Sequence, residues 1–180
     1  CWGVHPYVLM NYAGTTDSAF TLAHELGHAM HSYYSNNHQA YNNAKYPMLL
    51  AEVASTCNEA LFMQYLLGKT QDKAKRKFLI NYFLEQFRTT VFRQVMFAEF
   101  EAIIHRRQEQ GEALTCEAYQ AIYRSLNERY YGPDMVVDEE ITMEWARIPH
   151  FYDAFYVYKY ATGFATAIAL SQLVLSGPEG

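Results

Sequence analysis

The sequence predicts a mainly α-helical fold with one short strand or hairpin near its start. Apolar residues recur at helical spacing in the long segments, as at Phe92, Met96, Phe100 and Ile103. Gly68, Gly111 and Gly132-Pro133 interrupt these segments where helices should stop. Only residues 4–12, Val-His-Pro-Tyr-Val-Leu-Met-Asn-Tyr, favour an extended strand, with Gly14 ending it.

The elements follow in order. Thr15, Thr16, Asp17 and Ser18 are helix-capping types, so a first helix should run from about Ser18 to Ser35. Asn36 to Pro47 is polar and turn-rich, hence a loop. A second helix should cover Met48 to Leu67. Asp72 can open a long third helix reaching about Gln110, and a fourth should span Thr115 to Tyr131. A short helix is expected at Asp138 to Arg147. A final one should run from about Tyr152 to Leu175, and its apolar part, Ala161 to Leu175, reads as a buried core helix too short to span a membrane.

Half of the 180 residues are apolar, and 16 Tyr and 11 Phe enrich the chain in aromatics, so a packed core is affordable in one domain covering residues 1–180. The net charge of −5 comes without a basic block, which argues against nucleic acid and anionic membrane as partners. Cys1, Cys57 and Cys116 are odd in number and far apart. They form neither a disulfide framework nor a paired-thiol metal motif, which fits a reducing, cytoplasmic setting. The chain begins without Met and ends Ser-Gly-Pro-Glu-Gly, and it reads as a piece of a longer protein.

Residues 24–28 read His-Glu-Leu-Gly-His. Histidines four apart stand on one helix face and can reach one metal ion, while Glu25, about 100° round the helix, can address a metal-bound water without ligating. His24, His28 and His31 lie within an arc of about 60°. Leu22, Leu26, Ala29 and Tyr33 form the opposite face, expected to pack. A catalytic zinc takes three protein ligands. The continuation His-x-x-Gly-x-x-His is absent, because His31 stands at the Gly position and Tyr34 at the last His. The second helix offers Glu52 and Glu59 on one face, with no Lys or Arg between Lys45 and Lys69 to neutralise them. Glu52 is the favoured third ligand and Glu59 the carboxylate that orients a ligand His through its other ring nitrogen. His31 is a rival third ligand or a supporting residue.

The stretch Phe20-Thr-Leu-Ala-His-Glu-Leu-Gly-His-Ala-Met-His31 resembles the signature of the thimet oligopeptidase and oligoendopeptidase F group of zinc peptidases, and so does Ala51-Glu-Val-Ala-Ser-Thr-Cys-Asn-Glu59. Ile148-Pro-His-Phe-Tyr-Asp-Ala-Phe-Tyr-Val-Tyr-Lys-Tyr-Ala-Thr-Gly163 is more similar to the oligoendopeptidase F subgroup. The resemblance implies a zincin-type helical catalytic domain with its strand beside the metal-binding helix. It implies one zinc per chain on His24, His28 and Glu52, with Glu25 as base. His150 and the following tyrosines would line the cleft, with Tyr152, Tyr156 and Tyr158 competing as oxyanion donors. Tyr152 and Tyr156, four apart, could share one helical face. The implied activity is hydrolysis of internal bonds in short peptides.

The alternative is a non-catalytic helical metal-binding or interaction fragment. A di-metal bundle needs two Glu-x-x-His motifs. Glu25-Leu-Gly-His28 is one, but Glu101 to His105 has one residue too many. Oligomeric state is not legible.

Overall fold

The computed structural model describes residues 2–177, so Cys1 and Pro178 to Gly180 of the two ends lie outside the described residues. Among the described residues there are six α-helices: α1 Thr16–His38, α2 Met48–Lys69, α3 Lys73–Phe87, α4 Arg93–Glu109, α5 Cys116–Tyr131 and α6 Tyr158–Ser176. The chain groups into two compact units, residues 2–86 with 162–177, and residues 87–161.

In the first unit, α1 starts where Thr15 accepts a hydrogen bond from the Ser18 amide at 3.1 Å. Ser18 Oγ in turn accepts from the Ala13 amide, tying the incoming chain to the cap. α1 and α2 run antiparallel. Phe20 meets Phe62, Asn58 donates to the Ala23 carbonyl at 2.6 Å, and Gly27 meets Ser55, so rising numbers on one helix pair with falling numbers on the other. Phe20, Met63 and Leu79 form the buried core, closed by Phe62, Leu66, Leu67, Tyr82 and Phe83. Asp72 caps α3 by accepting from the Ala74 and Lys75 amides.

In the second unit, α4 and α5 bury Met96, Phe97, Phe100, Ile122, Tyr123 and Leu126, and Ile148 and Val157 complete this core. Thr115 caps α5, and Gly132 at φ 79 ends it in a conformation that suits glycine. Glu144, only 6% exposed, accepts from Tyr123 at 2.7 Å and pairs with Arg93 and Arg147.

Several expectations change. No strand forms at residues 4–12 among the described residues. Tyr7 is 79% and Leu9 98% exposed, and an extended segment without a neighbouring strand has no ladder to join. The expected helix from 72 to 110 is interrupted by a π-helical stretch at Arg88–Phe92. The β-branched run Thr89-Thr90-Val91 within it is poorly suited to α geometry. Residues Glu140–Arg147 form a 3₁₀ helix rather than an α-helix. The last helix begins at Tyr158, not Tyr152, because Pro149–Tyr152 is a separate 3₁₀ turn and Phe155 takes a positive φ. α6 buries one stripe, Gly163, Phe164, Ala167 and Ser171, while Leu173, Val174 and Leu175 are exposed. It is therefore a half-buried helix, and among the described residues no helix is long and apolar enough to cross a membrane. On α1 the expected packing face is exposed at Leu22, Leu26 and Tyr33; Phe20, Ala23 and Gly27 pack instead. The second helix approaches from that side, closer to the histidines than the sequence pattern indicates.

Candidate metal centre

Two contacts along the seam between α1 and α2 set the donors. Gly27 has no side chain, and a Cβ there would lie 2.6 Å from Ser55 Cα and 2.8 Å from the Ala54 carbonyl. The helices therefore touch between the two histidines' turns and the turn of Glu52. Asn58 adds a side-chain hydrogen bond across the same seam.

The result is a cluster of three donor atoms. His24 Nε2 lies 3.1 Å from His28 Nε2 and 3.4 Å from Glu52 Oε2, and His28 Nε2 lies 3.7 Å from the same oxygen. Donors placed tetrahedrally about 2.1 Å from one ion stand about 3.4 Å apart. The observed separations bracket that value, and among the described residues these three donor atoms all lie within 4.8 Å of one another. The donor set, two imidazoles and one carboxylate, is one that zinc takes in catalytic sites.

Charge supports the same fit. Hydrogen bonding to Glu52, then to Glu59, raises the His24 pKa to about 10 against the cost of its burial. The His24 contact in turn holds the Glu52 carboxyl below its ordinary range. Two carboxylates thus favour positive charge at this imidazole, which a divalent cation would also supply.

Glu59 Oε1 accepts from His24 Nδ1 at 2.6 Å, and Glu59 Oε2 accepts from Gln86 Nε2 at 2.9 Å. With Nδ1 engaged by Glu59, Nε2 is the ring nitrogen that faces the cluster, and a bound cation would take the place of its proton. Ser55 Oγ donates to Glu52 Oε2 at 3.1 Å, fixing that carboxylate from behind. Glu25 is partly buried and, among the described residues, its side chain joins no hydrogen bond or ion pair. His31 lies outside the three-donor group. Its ring stacks on Tyr46 at 3.7 Å, its Nδ1 is buried without a partner, and burial holds its pKa below the ordinary value.

The second unit gathers another group. His150 stacks on Tyr156 at 5.7 Å, meets Tyr160 edge-on, and shares a 3.3 Å hydrogen bond with the Tyr160 hydroxyl. Lys159 sits over the Tyr156 ring. Tyr152 is 92% exposed and stands apart from this group, and it shares no helix with Tyr156. Tyr158, partly exposed, opens α6. Sequence reasoning did not single out Tyr160, although it lies in the Ile148–Gly163 stretch and four residues from Tyr156. It also passed over Gln86, which nothing local marks.

Residues 3–178 match the profile of Peptidase family M3. The chain is 51% identical to Oligopeptidase PepF of Bacillus subtilis over 174 residues, covering 97% of this chain and 26% of that protein. It is 47% identical to the chromosomal Oligoendopeptidase F of Lactococcus lactis subsp. cremoris, covering 95% of this chain and 28% of that one. The crystal structure of a putative peptidase from Chlamydophila abortus superposes with a TM-score of 0.90 at 43% identity, over 100% of this chain and 30% of the other. That of oligoendopeptidase-F from Enterococcus faecium gives 0.78 at 45% identity, over 88% and 28%. The chain thus spans between a quarter and a third of the proteins it matches. The match over residues 3–178, with relatives about half identical along nearly the whole chain, shows that the chain belongs to peptidase family M3.

Proposed function

We propose that this chain is the catalytic portion of a longer zinc-dependent endopeptidase that hydrolyses internal bonds of short peptides. The observation that carries the reading is the convergence of His24, His28 and Glu52 at separations suited to one tetrahedral ion. These three would hold zinc, one per chain, and Glu59 would orient His24. When bound, zinc supplies a Lewis acid that acidifies water and polarises a carbonyl.

The chain's own residues would do the rest. Glu25, beside the ligands and unengaged, takes the proton of the attacking water and returns it to the leaving amine. An oxyanion develops as the carbonyl is attacked, and neutral phenol or imidazole donors stabilise it at about 3–4 kcal/mol each. His150, Tyr156 and Tyr158 are the candidates, together with Tyr152, and Tyr160 joins them through its hydrogen bond to His150. Internally quenched peptides provide the test, in the full chain. Cleavage should be abolished by a chelator, restored by zinc, and reduced about 10²–10⁴-fold in Glu25→Gln with zinc retained. Near-normal turnover in that variant would remove Glu25 from the reaction. A chain that binds zinc but cleaves nothing would favour the non-catalytic reading.

A further inference from the structure

Among the described residues, Phe155 is the one non-glycine residue with a positive φ, at 57°. A side chain with a Cβ adopts this left-handed conformation at a cost, and for a bulky residue it persists only where the surroundings impose it. Two residues one turn apart on α4 do so. Glu101 Oε1 accepts the Phe155 N–H at 2.8 Å, and the His105 ring packs on the Phe155 ring at 4.8 Å. A spacing of four puts both on one helix face. This is the Glu-His pair whose spacing fails as a di-metal motif.

Glu101 is unusual. It is 2% exposed, and among the described residues no cation forms an ion pair with it. A carboxylate held away from water without a cation is costly, and an apolar side chain of similar volume would fill the core more cheaply. What the carboxylate supplies is an acceptor for the Phe155 amide. That amide lies between His150 on one side and Tyr156 and Tyr160 on the other, so its torsion sets how the phenols meet the imidazole. We propose that Glu101 is a positioning residue. Its clamp on Phe155 fixes the His150 ring against Tyr156 and Tyr160. The consequence for turnover rests on the peptidase reading above; the consequence for geometry does not.

The experiment therefore has two readouts, both in the full chain. The His150 resonance is followed by NMR in protein carrying ¹³C-labelled histidine, assigned by its loss in His150→Gln. Cleavage of a quenched peptide gives kcat and KM. Glu101→Ala should move the His150 signal toward that of a free imidazole, as the ring leaves Tyr156. It should also lower kcat on the order of tenfold to a hundredfold with KM little changed. Glu101→Gln keeps an oxygen acceptor and should retain both the signal and kcat. If Glu101→Ala does not fold, Phe155→Val tests the clamp from the other side. Phe155 is 47% exposed, and a β-branched residue rejects its φ, so the His150 signal must shift with Glu101 intact. If the wild-type chain cleaves no peptide, the peptidase reading falls and the resonance alone decides the clamp. An unmoved His150 signal in Glu101→Ala or Phe155→Val, or a Glu101→Gln variant as impaired as Glu101→Ala, overturns the proposal.

Discussion

Gly27 on α1 leaves no space between its own backbone and Ser55 on α2: a Cβ at position 27 would sit 2.6 Å from Ser55 Cα. The obstacle is main chain, which cannot rotate away as a side-chain tip can. Gly27→Ala must push the helices apart. The better helix propensity of alanine offsets only about 1 kcal/mol. Net destabilisation of about 1–3 kcal/mol is expected from overpacking, read from chemical denaturation. Zinc uptake should fall in the same variant, because Glu52 moves away from the histidines. A variant with unchanged stability and full zinc content would refute the close approach.

The contact of His24 Nδ1 with Glu59 predicts a graded loss of metal affinity. Glu59→Ala should weaken zinc binding about 10–100-fold without abolishing it. Glu52→Ala, which deletes a donor atom of the cluster, should do more. Competitive titration with a zinc indicator ranks the two, and equal affinities in both variants would contradict the assigned order.

In the second unit, Glu144 is the acceptor for Tyr123 and the counter-charge for Arg93. Glu144→Ala leaves a buried phenol unbonded and a partly buried guanidinium unpaired. The expected cost is about 3–5 kcal/mol, since removing one partner strands the other. Arg147→Ala should cost under about 1 kcal/mol, because that guanidinium is mostly in solvent. Thermal or denaturant unfolding of the two variants measures the contrast.

Alkaline stability should have a component from Tyr82. Burial, then the nearby Asp17 carboxylate, pushes its phenol up to about 12. The folded state therefore holds this proton more tightly than the unfolded chain does. Its contribution is fully present below the ordinary phenol value near 10 and is lost as pH rises through about 12. Tyr82→Phe should flatten the fall of melting temperature across that window. An unaltered profile would mean that Tyr82 titrates normally.

The positions of α1 and α2 were legible because Thr15 caps α1, Pro47 stands immediately before α2 and Gly68 falls at its last turn. The His24–His28 spacing was legible for the same reason, since a helix makes sequence distance into spatial distance. Elsewhere the sequence carried less. Residues 4–12 alternate like a strand, but pairing depends on a neighbour that no local pattern reveals. No Gly or Pro lies between Asp153 and Val157, so the break before α6 was hidden; a distant carboxylate, Glu101, stabilises it instead. Gln86 and Tyr160 join their groups through contacts made only after packing. The apolar stripe of Leu22, Leu26 and Tyr33 misled because hydrophobicity marks a side chain that can be buried, not one that these described residues do bury.

The antiparallel pair α1 and α2 has a kinetic consequence. Every donor of the cluster, with the glutamate behind it, belongs to two successive helices joined by a short link. Closing that link costs little chain entropy, so the ion's cradle has low contact order and can form quickly. The three donors can therefore meet before more distant segments of the chain have assembled.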